Sequence, residues 1–108
     1  MLYDKMVETN ENRDVDAFLN LIDDDFIMVS HQTKTQRSKK DFAEMVSAMM
    51  SSDNLEVTNQ RCVYENDDIL IQHNFMSYPD DTRQAVMLVS ILKDGKIISL
   101  ESGATSLD

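Results

Sequence analysis

The hydrophobic pattern of this chain changes its period once, and that change limits the folds it can adopt. Before Ser52, apolar residues recur mainly at the three- and four-residue spacing of amphipathic helices. After Ser52 they alternate with polar residues, as in strands that bury one face. Helices followed by strands are typical of an α+β domain, and 108 residues suit one domain, so residues 1–108 are treated as a single domain.

Three helices are predicted in the first half of the chain. Their stripes at helical spacing comprise Leu2, Tyr3, Met6, Val7 and Asn10, then Val15, Phe18, Leu19 and Ile22, then Phe42, Met45, Val46, Met49 and Met50. Asp14 is a suitable N-cap for the second helix, and Ser38 with Asp41 resembles a capping box for the third. Between these two helices, residues 26–30 are predicted to form a buried strand and residues 31–37 a polar loop.

Four strands are predicted in the second half, over residues 55–64, 69–78, 83–92 and 96–104. The turns between them are short, and Asp94-Gly95 is the strongest hairpin signal in the chain. The third of these strands contains an unbroken apolar run over residues 85–89, which predicts burial on both of its faces. Short connections favour an antiparallel meander that curls around the helices.

Charge and cysteine content argue against several classes of partner. The chain has 20 acidic and 10 basic residues and a formal charge of -10, whereas nucleic-acid binding needs clustered Lys and Arg. Cys62 is the single cysteine, so no intrachain disulfide can form and a cytoplasmic location is expected. We see no signal peptide and no apolar run near the roughly 20 residues that span a bilayer, so no membrane partner is expected.

Metal and cofactor motifs are also missing from the sequence. Two histidines without His-x-x-x-His, Cys-x-x-Cys or calcium-loop spacing predict no metal site. With two glycines in the chain, no Gly-rich phosphate loop can be traced, and no cofactor is predicted.

Four short motifs occur in an order that resembles a known family. They are Asn12-Arg13-Asp14-Val15-Asp16, Asp24-Asp25-Phe26, Ser38-Lys39-Lys40-Asp41-Phe42 and Asp94-Gly95-Lys96-Ile97. With the order of the predicted elements, they make nearly the whole chain similar to the SnoaL-like branch of the nuclear transport factor 2-like superfamily. The resemblance implies a cystatin-like α+β cone barrel, in which three N-terminal helices pack in the concave face of a strongly bent, mainly antiparallel sheet around an internal pocket. It also implies a homodimer formed through the outer face of the sheet.

The family is diverse in function, and ketosteroid isomerase is its best-understood enzyme. That isomerase uses an Asp base and an oxyanion hole made of a Tyr and a protonated Asp. Matching its pattern to this chain places the base at Ser30, the tyrosine at Met6 and the second acid near Leu88. Because none of these side chains can perform those roles, the resemblance implies that the isomerase apparatus is missing.

His73 and His31 are the candidate catalytic residues. The same match places Ile71, His73 and Phe75 on the pocket side of their strand, as an apolar face interrupted by one imidazole that could transfer a proton near neutral pH. The alternatives for His73 are a core histidine with one hydrogen bond and an exposed histidine at an interface. His31 follows Ser30 at the pocket mouth and could pair with His73, or could face solvent as most polar loop residues do.

A ligand-binding role is expected for nine residues that the match or the pattern places inside: Met6, Ile22, Met28, Ser30, Met45, Met49, Ile71, Phe75 and Leu88. Eight methionines would give an apolar ligand an adaptable lining, or would fill the core where aromatic residues are scarce. We therefore expect a protein that binds an apolar or weakly polar small molecule, with isomerase, dehydratase or cyclase chemistry at His73 left open. The alternative is a non-catalytic dimeric interaction module with a closed pocket.

Overall fold

The computed structural model describes residues 2–107, and it alternates helices and strands before ending in four strands. The helices are α1 (Leu2–Glu11), α2 (Val15–Leu19) and α3 (Lys39–Ser51). The strands are β1 (Ile22–Ser30), β2 (Thr35–Ser38), β3 (Glu56–Glu65), β4 (Ile69–Ser77), β5 (Arg83–Lys93) and β6 (Lys96–Ser106).

The six strands of the described residues form one sheet in the order β2-β1-β6-β5-β4-β3. The β3–β4, β4–β5, β5–β6 and β1–β2 pairs are antiparallel, and β1 pairs with β6 in parallel. A parallel pair needs a long crossover, and α3 with the β3–β5 meander provides it. The predicted α+β architecture, with helices packed against a mainly antiparallel sheet, is confirmed.

The region around β1 differs from the prediction. Ile22, expected at the end of a helix, begins β1, because Lys39 Nζ donates to its carbonyl oxygen at 2.9 Å and Ile97 N donates to Leu21 O at 2.9 Å. The strand β2 begins at Thr35, inside the predicted loop over residues 31–37, and pairs with β1 from Ile27 to Ser30. A four-residue polar edge strand has no apolar alternation to reveal it in the sequence.

Both predicted helix caps are present. The Asp14 carboxylate accepts from Ala17 N at 3.1 Å at the start of α2. The Ser38 hydroxyl accepts from Asp41 N at 3.4 Å at the start of α3. These local bonds satisfy amide groups that have no partner inside the helix.

The sheet has two faces that differ in composition and in what covers them. The concave face packs against the helices and carries Leu70, Gln72 and Asn74 of β4, Val86, Leu88 and Ser90 of β5, and Leu100 and Ser102 of β6. The buried core joins this face to the helices and comprises Leu2, Met6, Phe18, Ile22, Phe26, Met28, Phe42, Val46, Leu70, Leu92, Ile97 and Leu100. Inside it, the Phe26 and Phe42 rings lie 4.8 Å apart, so α3 is fixed directly over β1.

The first turn of α1 is held by Glu65, the last residue of β3. Leu2 N donates to Glu65 Oε2 at 2.8 Å, and Tyr3 N donates to Glu65 Oε1 at 3.4 Å. We expect Glu65→Ala to lower the free energy of unfolding by about 1–2 kcal/mol, the range for losing a helix cap. Urea denaturation followed by circular dichroism measures this change. Glu65→Gln, which keeps one acceptor oxygen, should lose less, and an alanine variant as stable as the parent would exclude the cap.

Candidate functional site

Four polar side chains are buried in the concave face where an apolar wall would be expected. Gln72 is 2% exposed, Asn74 6%, Ser90 0% and Ser102 9%. They come from three adjacent strands, and directly paired residues on neighbouring strands share a face. Gln72 is paired with Leu88, Leu88 with Ser102, and Ser102 with Ser30 of β1, so one row of side chains crosses the face.

Two of these side chains have hydrogen-bonding atoms without a partner. Asn74 Oδ1 and Ser90 Oγ are buried, and neither has a hydrogen-bond partner among the described residues. Leaving such an atom unsatisfied costs about 1–3 kcal/mol. Gln72 has only a weak hydrogen bond, because its Nε2 donates to Met6 Sδ at 3.9 Å and a thioether sulfur is a weak acceptor. The concave face therefore presents polar side-chain atoms that are free to form further hydrogen bonds, and apolar side chains surround them.

A chain of hydrogen bonds lies at the end of the concave face beyond Asn74. Tyr78 Oη donates to Gln84 Oε1 at 2.9 Å, and Gln84 Nε2 donates to Gln32 Oε1 at 2.9 Å. This chain joins the β4–β5 turn to the β1–β2 loop. Desolvation raises the pKa of Tyr78 above its ordinary value, so its hydroxyl remains a donor at neutral pH.

Most of the residues predicted to line the interior do lie on the helix side of the sheet. Met6, Ile22 and Met28 are in the buried core, and Met45 and Leu88 pack against it. Ser30 and Met49 are half-buried. That these side chains contact a ligand stays a prediction.

The predicted orientation of Ile71, His73 and Phe75 is wrong. Residues alternate between the two faces of a strand, and it is Leu70, Gln72 and Asn74 that face the helices, as the contact of Gln72 with Met6 shows. Ile71, His73 and Phe75 therefore lie on the other side, half-buried, with the His73 and Phe75 rings edge to face at 5.1 Å. The more apolar alternation in β4 belongs to the outside of the sheet, which is why the pattern indicated the wrong face.

His31 is also outside the concave face. Its side chain is 61% exposed, and its Nε2 lies 3.1 Å from Glu101 Oε2. Glu101 pairs in register with Val89, and Val89 with Ile71, so it belongs to the side of the sheet that carries His73. The two histidines have different neighbours, and the structure does not bring them together as an acid–base pair.

The outer face is the side of the sheet opposite to the helices, and it has an apolar centre. Its central residues are Ile69, Ile71, His73 and Phe75 of β4 and Ala85, Met87, Val89 and Ile91 of β5, flanked by Arg61 of β3 and by Ser99 and Glu101 of β6. Met87 is 44% exposed and Ile91 39%. Ile27 and Tyr64, at 42% and 54%, extend the apolar surface on either side. The burial of residues 85–89 on both faces, predicted from sequence, is thus found on the concave face alone.

Two cavities lie at the surface, away from the buried polar residues. One, of about 570 Å³, is a shallow groove between α2 and α3. The other, of about 520 Å³, lies between the start of α1 and the β3–β4 and β5–β6 turns. Neither is lined by any residue predicted to bind a ligand.

The described residues contain neither a cluster of metal ligands nor a helix that could span a membrane. Between residues 2 and 107, no three His, Cys, Asp or Glu side chains are grouped so that they could hold a metal ion. Within the same range, no helix is long and apolar enough to cross a membrane.

Comparison with known proteins places this geometry in a family. The family model described as a SnoaL-like domain matches residues 3–100. Among curated proteins, none matches the sequence. Similar solved structures include a nuclear transport factor 2-like protein of unknown function from Mesorhizobium loti, with a TM-score of 0.83 and 10% identity over 96% of this chain and 88% of that one.

A candidate ketosteroid isomerase from Kribbella flavida is also similar, with a TM-score of 0.77 and 15% identity over 96% of this chain and 75% of that one. A loop truncation variant of IdmH gives a TM-score of 0.70 and 14% identity over 95% of this chain and 89% of that one. At such low identities these structures show the fold alone. The match over residues 3–100 goes further, and the chain belongs to the SnoaL-like domain family.

Proposed function

We propose that this protein binds a neutral, weakly polar small molecule between the concave face of the sheet and helix α1. The observation that carries the proposal is the buried Asn74 side chain, whose Oδ1 has no partner among the described residues. A buried carboxamide whose oxygen has no hydrogen bond is destabilising, so its presence is better explained by a bound partner than by packing.

The neighbouring side chains define the chemistry of that molecule. Gln72 and Asn74 are two residues apart on one face of β4, so a ligand that accepts from Gln72 Nε2 can also donate to Asn74 Oδ1. Among the described concave-face residues of β4, β5 and β6, none is ionisable, which favours a neutral ligand over an anion. Met6 now covers Gln72, and its flexible side chain can move aside for a ligand that offers an oxygen acceptor.

The same geometry supports binding more strongly than proton transfer. An acid–base enzyme needs a titratable group facing its substrate, and both candidate histidines lie away from the concave face. The proposal is therefore a carrier or sensor function without a catalytic role for His73.

Asn74→Leu tests this proposal through two readouts with opposite signs. Because it replaces a carboxamide that has an unpaired oxygen by an apolar group of similar volume, we expect the free energy of unfolding to rise by about 1–2 kcal/mol. Binding of 2-naphthol, a neutral fluorescent probe that has one hydroxyl group, should weaken at least tenfold at the same time, since one hydrogen bond is worth about that much. Urea denaturation and fluorescence titration measure the two quantities.

The matched control is Ser99→Ala, a small change on the outer face that should leave both quantities as in the parent. A leucine variant that is less stable and binds the probe unchanged would show that Asn74 is a satisfied structural residue. If 2-naphthol does not bind the parent protein, the concave-face site itself is contradicted.

We also propose that two copies associate through the outer face, since an apolar face of this extent is unusual on a monomeric protein. The flanking charges support a second copy as the occupant. Arg61 on β3 and Glu101 on β6 lie on opposite sides of the line between β4 and β5. Arg61 is in register with His73, and Glu101 is in register with Val89, in the neighbouring row of side chains. A two-fold axis along that line brings Arg61 of each copy near Glu101 of the partner, so apolar contacts at the centre are flanked by opposite charges.

A further inference from the structure

His73 occupies the middle of the outer face. Arg61 is opposite it on β3, and Met87 is opposite it on β5. The Phe75 ring lies against it on the same strand at 5.1 Å, and Ile71 precedes it. Any partner that covers this face must therefore cover the imidazole.

The imidazole is placed so that only its neutral form suits a covered face. Its Nδ1 is buried and has no hydrogen-bond partner among the described residues. A neutral imidazole can leave one nitrogen unprotonated, whereas the imidazolium carries an N–H on both nitrogens and needs two acceptors. Protonation would thus add a charge and an unpaired donor in apolar surroundings, next to the positive Arg61.

We propose that protonation of His73 weakens self-association through the outer face, so that the protein is dimeric at neutral pH and dissociates as the solution becomes mildly acidic. This inference rests on the dimer proposed above. The sign follows from linkage: a dimer that accommodates only the neutral ring is favoured above the pH where the free monomer takes up its proton, and is lost below it. Histidine is the side-chain type whose charge ordinarily changes between pH 5 and 8.

The other charged groups on this face do not predict the same change. Arginine is always charged, and histidine is the side-chain type that ordinarily changes charge between pH 5 and 8, which sets Arg61, Glu101 and the other carboxylates apart from His73. Tyr64 of β3, which is in register with Ile71, is also on this face. His31 is the other histidine, and its Nε2 lies 3.1 Å from Glu101 Oε2, so a proton gained there would be next to a carboxylate. Lower net charge also reduces the repulsion between two acidic copies, so the general electrostatic effect of acid opposes the predicted dissociation.

Sedimentation equilibrium at about pH 7.5 and about pH 5.5, at constant ionic strength, tests the proposal. Two imidazoles per dimer must each give up a proton for the copies to associate at the lower pH, so the dissociation constant of the dimer should rise by roughly tenfold or more. His73→Phe, which keeps a ring beside Phe75 but cannot titrate, should remain dimeric at both pH values. His73→Lys, which keeps a charge at both, should be monomeric at both.

His31→Asn is the matched control and should dissociate with acid as the parent does. A His73→Phe variant that still dissociates with acid, or a parent dimer equally stable at both pH values, would overturn the role of His73 while leaving the dimer intact. A parent protein that is monomeric at every pH would instead contradict the dimer.

Discussion

Ile91→Asp is expected to make the protein monomeric. Ile91 is 39% exposed in the single chain and is paired in register with Ile69 and Ser99 on the outer face. In the proposed dimer, each copy would have to bury an aspartate among apolar side chains, which costs several kcal/mol for every unpaired carboxylate. Because each 1.4 kcal/mol changes the constant tenfold, we expect the dimer dissociation constant to rise at least about 100-fold.

Sedimentation equilibrium at neutral pH measures this change. Ile91 is in register with neither His73 nor His31, so the substitution leaves both histidines in place. Ser47→Asp is the control, because it adds the same charge at an exposed position of α3, on the other side of the molecule. It should associate like the parent. An Ile91→Asp variant that retains parental association would show that the outer face is not the contact surface.

Phe26→Ala is expected to cause the largest loss of stability of the changes considered. Phe26 is 1% exposed, and its ring lies 4.8 Å from Phe42, which in turn lies 6.2 Å from Phe18. Removing it takes away the contact between β1 and α3 and leaves a cavity at the centre of the core. Changes of this kind lower the free energy of unfolding by about 3–5 kcal/mol, a large part of the 5–15 kcal/mol that keeps most domains folded.

Urea denaturation followed by circular dichroism gives the value. Phe26→Leu should lose less than the alanine variant, because it keeps most of the buried volume. Leu107→Ala, at a side chain that is 43% exposed, should change stability by less than about 1 kcal/mol. A loss below that level for Phe26→Ala would mean that the aromatic cluster does not hold α3 to the sheet.

Local features of the fold could be predicted from the sequence because they depend on neighbouring residues. The caps at Asp14 and Ser38 and the turn at Asp94-Gly95 each involve side-chain or backbone preferences within four residues. Gly95 has φ +79, which glycine adopts without strain, and Asp94 beside it has φ 53. The stripe of α3 also has the helical period, because that helix packs one face on the core.

Other features depend on partners that lie far away in sequence. Ile22 begins β1 instead of ending a helix because Lys39 and Ile97 place hydrogen bonds on either side of it. The cap of α1 comes from Glu65, and β2 exists through its pairing with β1. None of these partners can be recognised from the local pattern of the chain.

By itself, the sequence determined that the two sides of β4 differ, one being more apolar than the other, because the alternation of residues is a local property of the strand. Only the tertiary structure decided which side faces the helices. It places the more polar side, with Gln72 and Asn74, in the interior and leaves Ile71, His73 and Phe75 outside. Hydrophobicity indicates that a side chain tends to be buried but does not show which element buries it, and in this protein the helices cover one face of the strand and leave the other outside.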